Sequence, residues 1–273
     1  MTGIDSRRFA INTYSYTQTF DAKTCLKHLA ERGFDTFELM MYPGHCWPAD
    51  LDAPARREFG RFLSSAGLKI VSLNMPNIDI NVAGACAETR EYSRAILRSV
   101  FELAGDLGIA GVVVGSGKAN PLMPLPADVM RGYFFEALDD LSTLGDRLGV
   151  QVLMEPIPPA FLSTARQLHE TLAEYGNDRI GVVYDVANGE YVRENITEAV
   201  CLLAPRLAQV HLSDTGHDVW RHDPAGAGVV RFDTFRAALD IIDYRKPPIL
   251  EIIDSKPDAS IESSVVALTD IGW

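Results

Sequence analysis

The run RLAQVHLSDT, Arg206 to Thr215, is an apolar, β-branched segment that carries the chain to His211 and then breaks into Ser213, Asp214 and Thr215. Such a run predicts a buried strand that delivers an imidazole to its C-terminal end. Three other runs finish the same way. VQVLMEP reaches Glu155, RIGVVYDVAN reaches Asp185 and Asn188, and PPILEIID carries Glu251. Each is followed by a break and a helix-period segment. As strands of one parallel barrel they would bring Glu155, Asp185, His211 and Glu251 together at its C-terminal mouth. Three carboxylates held that close repel one another unless a cation lies between them, so a divalent metal is the simplest reconciliation.

The same alternation extends back to the start of the chain. RFAIN (8–12), FDTFELM, LKIVSLNM and IAGVVVGSG predict four earlier strands. Helices are expected after an Asp21 cap, with Leu26, Leu29 and Ala30 as the apolar face and Gly33 as the stop, then over 55–66, 88–107, 128–148 and 164–175. Each of those four ends at a glycine: Gly67, Gly108, Gly149 and Gly176. Shorter helices are expected over 194–203, 233–242 and 261–268. The tally is eight strand–helix units of about 34 residues each. Strict alternation demands parallel strands with right-handed crossovers, so the expected fold is a single-domain α/β chain, a (β/α)8 TIM barrel over residues 1–273. An open doubly wound sheet would need a glycine-rich phosphate turn after the first strand, and NTYSYTQTF has none.

The separations from 155 to 185, 185 to 211 and 211 to 251 are 30, 26 and 40 residues. The first two approximate one barrel unit, and the third is a unit plus the long insertion after His211. These residues therefore end strands five to eight. Adjacent strands lie ~4.8 Å apart, so four consecutive ends can converge on one ion. A single Asp or Glu after a strand is more often a helix cap, and a single His more often a satisfied core residue. Four at matched strand ends have no structural reason to converge, which favours function. Three carboxylates and one imidazole suit Mn²⁺ first, with Mg²⁺, Co²⁺ or Zn²⁺ as other candidates.

Composition narrows the partners. With 273 residues, 47% of them hydrophobic, the chain can bury one large core. Its formal charge of −12 repels polyanions, and no basic or aromatic-basic stripe suggests a nucleic-acid groove. No apolar run is long enough for a membrane span, and MTGIDSRRFAIN lacks the apolar core of a signal peptide. Cys25, Cys46, Cys86 and Cys201 show no metal or redox spacing. Free thiols and the missing leader predict a cytoplasmic protein, and the acidic surface favours a small neutral or weakly charged substrate, with a homo-oligomer allowed.

The runs LMEP, VVYDVAN, VHLSD, RHDPAGAG and ILEI together resemble the xylose-isomerase-like barrel superfamily, in particular the sugar-phosphate isomerase/epimerase group that contains the ketose 3-epimerases. The resemblance covers nearly the whole chain. It implies Glu155, Asp185, His211 and Glu251 as metal ligands, with Glu155 and Glu251 also the catalytic acid/base pair. A metal holding the carbonyl and neighbouring hydroxyl of a ketose acidifies the carbon-bound proton and stabilises the enediolate left by its removal. Two carboxylates on opposite faces can then exchange roles and invert that carbon. The same site would serve a dehydratase or decarboxylase of a keto-polyol or keto-acid, and a third reading is a non-catalytic sugar-binding or assembly partner.

Departures from the group are specific. Ketose 3-epimerases usually carry a histidine three residues after the strand-six aspartate, where this chain has Asn188. The segment after Glu155 is PIPPAF, apolar where those enzymes tend to place polar anchors. Apurinic-site endonucleases of the superfamily need that histidine and an Asp-x-His pair before the glycine turn; Trp220, Arg221 and His222 stand there instead, which argues against DNA repair.

Further candidates for substrate contact are Asn188, whose amide can bond a hydroxyl, and Arg221 with His222, which precede the Gly226–Gly228 turn or form a surface pair. Glu38 ends the second strand as a polar contact or a structural salt bridge. His45, with Trp47 in the long loop 41–52, would cover a sugar face or an oligomer contact. Lys118, with Asn120, would meet a phosphate or carboxylate or simply solvent, and His217 is expected to face solvent.

Overall fold

Each of the eight apolar runs forms a strand that pairs in parallel with its chain neighbours. They are β1 (Ala10–Asn12), β2 (Thr36–Met40), β3 (Lys69–Asn74), β4 (Gly111–Gly115), β5 (Gln151–Glu155), β6 (Gly181–Asp185), β7 (Leu207–Leu212) and β8 (Ile249–Leu250). β1 also pairs with β8, closing the barrel in chain order. The computed structural model describes residues 8–273. The leaderless reading of the N-terminus falls largely on residues 1–7, which lie outside the described residues.

The helices α1 (Ala22–Ala30), α2 (Ala53–Ala66), α3 (Ala87–Leu107), α4 (Ala127–Leu148), α5 (Ala165–Tyr175), α6 (Val186–Tyr191), α7 (Ile196–Leu203), α8 (Phe232–Ile241) and α9 (Pro257–Asp270) surround them. The expected punctuation sets their ends. The Asp21 side chain accepts from Thr24 N at the start of α1, and Thr164 with Gln167 forms a capping box on α5. Gly67, Gly108, Gly149 and Gly176 close α2 to α5 in the left-handed conformation. α6 was not expected. VANGEY is too short to show a helical period, and it is held by Asp185 itself, whose side chain accepts from Asn188 N. The last helix starts earlier than expected, because Pro257 at its first turn needs no hydrogen-bond partner for a missing N–H.

Outward strand residues pack against the helices. Phe101 and Leu97 of α3 and Phe134 and Leu138 of α4 are at most 1% exposed, and full burial of each such side chain contributes about 1.5–3 kcal/mol. Inward residues form a separate plug of Val113, Leu153 and Val183. Glycine makes room for it: a Cβ on Gly181 would lie 2.7 Å from a Leu153 δ-carbon. All four cysteines are unpaired. Among the described residues, no helix is long and apolar enough to cross a membrane.

Candidate metal and substrate site

The plug fixes which side chains reach the mouth, because strand residues two apart share a face. Glu155 follows Leu153 by two, and Asp185 follows Val183 by two, so both turn inward above the plug. Asp185 is paired across the sheet with His211, and His211 with Ile249, two residues before Glu251. Register and pleat thus bring together one ligand atom from each of Glu155, Asp185, His211 and Glu251, all within 4.8 Å of one another. All four residues are buried. His211 Nδ1 lies 2.9 Å from Glu251 Oε2, 3.6 Å from Glu155 Oε1 and 3.9 Å from Asp185 Oδ2.

A divalent cation fits this donor set. Asp185 Oδ1 is used by Asn188 N at 2.9 Å, which leaves Oδ2 buried and without a hydrogen bond. An orphaned buried carboxylate oxygen is costly, and a metal bond would satisfy it. Three carboxylates and one imidazole nitrogen form a hard, oxygen-rich set.

Protons partly compensate the charge when no cation is bound. Burial alone would neutralise His211, but the carboxylates of Glu38, Glu251 and Glu155 hold its pKa well above the ordinary value. Burial likewise opposes charge on His222, and Asp185 and Glu251 outweigh it, lifting the pKa to about 9. Asp185 feels the reciprocal effect: against the cost of burial, His222 and His211 pull it down to about 2. Glu155 is dominated by burial, which raises it to about 7.

Glu38, expected as a substrate contact, is placed differently. It is fully buried beneath His211, with Oε1 3.0 Å from His211 Nε2, an ion-pair contact that lacks hydrogen-bond alignment. Asn12 and Asn74 donate to Oε1 at 2.7 and 3.0 Å, and Ser72 donates to Oε2 at 2.7 Å. Glu38 therefore orients the His211 imidazole from behind, the place a carboxylate commonly takes behind a metal-bound histidine. His45 also leaves the cavity. Its ring nitrogens bond Thr13 Oγ1 at 3.0 Å and the Phe20 carbonyl at 2.6 Å, so it pins loop 41–52 to the chain after β1 and covers no sugar face.

A cavity of about 620 Å³ opens above the four ligands, and Asn188, Lys118, Arg221 and His222 line it. Asn188 Nδ2 donates to Glu155 Oε1 at 3.1 Å, while its Oδ1 accepts from Trp220 Nε1 at 2.7 Å. His222 Nδ1 sits 3.4 Å from Asp185 Oδ2 and 3.6 Å from Glu251 Oε2, within reach of the four-residue cluster itself. Arg221 is 61% exposed at the rim, 4.0 Å from Asp223. Lys118 Nζ donates to the Ile78 carbonyl, and Asn120 caps the turn to Leu122 and Met123. His217 is partly exposed and bonds Glu190 at 2.8 Å.

Two functional residues escape sequence reasoning. Asp214 organises the long β7 loop: Oδ1 accepts from Thr215 N and Val230 N, and Oδ2 from Gly226 N, each at 2.9 Å. A backbone bridge between Asp214 and Asp223 then turns His222 back over the site. Gly228 must lack a side chain, since a Cβ would lie 2.3 Å from the Thr215 carbonyl oxygen. Trp220 is the other. An indole in a long loop carries no spacing that announces its bond to Asn188.

The model of the xylose isomerase-like TIM barrel family matches residues 26–270. The chain belongs to this family. Its fold resembles that of a D-tagatose 3-epimerase-like protein, with a TM-score of 0.82 at 19% identity over 96% of both chains. It also resembles the apo form of the 3-keto-D-glucoside 4-epimerase YcjR from E. coli, with a TM-score of 0.79 at 18% identity over 97% of this chain and 100% of that one. An uncharacterised protein of Methanocaldococcus jannaschii is 22% identical over 179 residues, 64% of this chain and 68% of its own. At these identities the likeness shows the barrel; the site must be argued from its own residues.

Proposed function

We propose that the protein is a metal-dependent isomerase or epimerase of a ketose or related keto-sugar. The observation that carries this is the convergence of four buried ligand atoms from four successive strand ends, two of them on glutamates three strands apart around the ring. A bound divalent ion would supply the positive charge that acidifies a hydrogen on carbon next to a carbonyl and steadies the resulting oxyanion. The names of the two similar epimerases support the same substrate class.

Glu155 and Glu251 then act from opposite sides of the cavity, one removing the carbon-bound proton and the other returning one to the opposite face. In the metal-free site burial raises Glu155 to about 7, and a bound cation would favour its ionised form, the form that accepts the proton. Asn188 holds the Glu155 carboxylate by its Nδ2 bond and limits its rotation. His222, which lines the mouth, can donate a ring N–H to an oxygen of the substrate.

Metal-loaded protein in D₂O, offered ketoses, their phosphates and keto-glycosides, is expected to incorporate deuterium at a carbon next to the carbonyl, read by NMR. Apart from the deuterium taken up, the product of that reaction has the mass of the substrate. Loss of water or carbon dioxide would instead reassign the site to a lyase, and no incorporation with any sugar would end the isomerase reading.

A further inference from the structure

We infer that the sugar carries an apolar substituent, an aryl or alkyl aglycone, which binds along the outer wall of the cavity; this rests on the keto-sugar reading of the floor. The cavity has two chemistries at two depths. Its floor is the ligand cluster with Asn188 and His222. Its outer wall is built from Ile78 after β3, Ile157 and Pro159 after β5, Val219 and Trp220 after β7, and Ile253 after β8. Four loops thus direct apolar side chains into one opening. Ile78 is 67% exposed, Val219 55%, Ile253 39% and Trp220 36%. Single exposed apolar residues are ordinary, but a set that lines one cavity marks a surface meant to be covered.

Volume and charge identify the cover. Even at the roughly 30 Å³ that each water takes in the liquid, more than a bonded atom needs, the heavy atoms of a free hexose fill little more than half of such a space, which measures about 620 Å³ here. Phosphate is a poor candidate for the remainder. Lys118 is engaged by the Ile78 carbonyl, Arg221 faces Asp223, and the floor is rich in carboxylates. Trp220 is already fixed by its bond to Asn188 and by an edge contact with His222 at 5.6 Å. A ring stacked on it would therefore freeze little further freedom. A glycosidic substituent also constrains the chemistry, since the anomeric carbon cannot then be the carbonyl. The implied substrate is a ring-oxidised glycoside with its keto group over the metal cluster and its aglycone against Trp220 and Val219.

The test compares phenyl with methyl 3-keto-β-D-glucoside, and includes D-fructose and D-fructose 6-phosphate, in deuterium exchange by the Mn²⁺-loaded protein. Burial of a phenyl ring predicts kcat/KM roughly ten- to hundredfold higher than for the methyl compound. Binding of the unreactive phenyl and methyl β-D-glucosides, followed by tryptophan fluorescence, should show the same order. In Val219→Asn with Ile253→Asn, checked for folding by circular dichroism, the phenyl-to-methyl ratio should fall toward one; Ile78→Ser serves if that variant does not fold. Equal phenyl and methyl values, or a preference for the 6-phosphate, overturn the inference. So does a dimer seen by light scattering that the same substitutions dissociate without any phenyl preference. If no probe exchanges deuterium, the isomerase reading falls, and the fluorescence comparison still decides the wall: a phenyl preference supports it and its absence overturns it.

Discussion

Replacing Glu38 by glutamine isolates the support behind the imidazole proposed as a metal ligand. Glu38 does not itself line the cavity, yet its Oε1 is 3.0 Å from His211 Nε2. The carboxylate fixes the ring so that Nδ1 faces Glu155, Asp185 and Glu251, and it raises the electron density on that nitrogen. Glu38→Gln keeps the shape and an acceptor for Asn12 and Asn74, but it removes the charge. A contact to a charged acceptor in a dry site contributes about 1.5–3 kcal/mol, which converts to roughly ten- to hundredfold in affinity. Supporting residues behind metal ligands fall in that range. Mn²⁺ affinity, measured by calorimetry against a competing chelator, is expected to weaken by that factor while the circular dichroism spectrum stays native. The thermal shift on adding Mn²⁺ should shrink in parallel. An affinity within twofold of wild type in a folded Glu38→Gln protein would refute the assignment, because His211 would then need no partner behind it.

Metal uptake near pH 7 should release protons, since His211 and His222 are held protonated and Glu155 is raised to about 7 in the metal-free site. Calorimetry in two buffers of different ionisation enthalpy reads this release. Because raised groups gain protons as pH falls, affinity should drop about tenfold per pH unit per released proton below 7, and a buffer-independent heat would contradict the charge balance. Asn188→Ala removes a donor to ionised Glu155, so the Glu155 pKa should rise and the acid limb of the pH–exchange profile should move to higher pH; a limb that stays put or moves down counts against Asn188 as its holder. Gly228→Ala places a Cβ 2.3 Å from the Thr215 carbonyl oxygen. It should cost about 1–3 kcal/mol in denaturant unfolding and weaken metal binding by displacing His222.

The barrel was legible because two independent regularities agree: apolar runs of strand length, and helices closed by Gly67, Gly108, Gly149 and Gly176. The convergence of Glu155, Asp185, His211 and Glu251 was legible from their places at the polar ends of those runs, since the pleat turns alternate residues inward. Depth was not legible. Glu38 ends its run as the others do, but its register opposite Asn12 and Ser72 leaves it under His211 rather than beside the cavity. A strand's sequence carries its own alternation and says nothing of its offset against its neighbours. His45 and Trp220 failed for a different reason. Loop positions are set by contacts between distant segments, such as His45 with Phe20 and Trp220 with Asn188, and no period in the sequence encodes those pairs.

The amide at position 188 links these observations. An indole N–H can only donate, so the bond from Trp220 Nε1 forces Asn188 to present Oδ1 to the wall and Nδ2 to Glu155. A histidine in that place would add a second titration beside a carboxylate already near 7 and would couple the two protons. The amide donates a fixed hydrogen bond at every pH, leaving Glu155 to respond to burial and to its charged neighbours. The same tryptophan that fixes this geometry forms part of the apolar wall. Whatever packs against Trp220 therefore bears on the orientation of Asn188 and, through it, on Glu155, the carboxylate proposed to handle the proton.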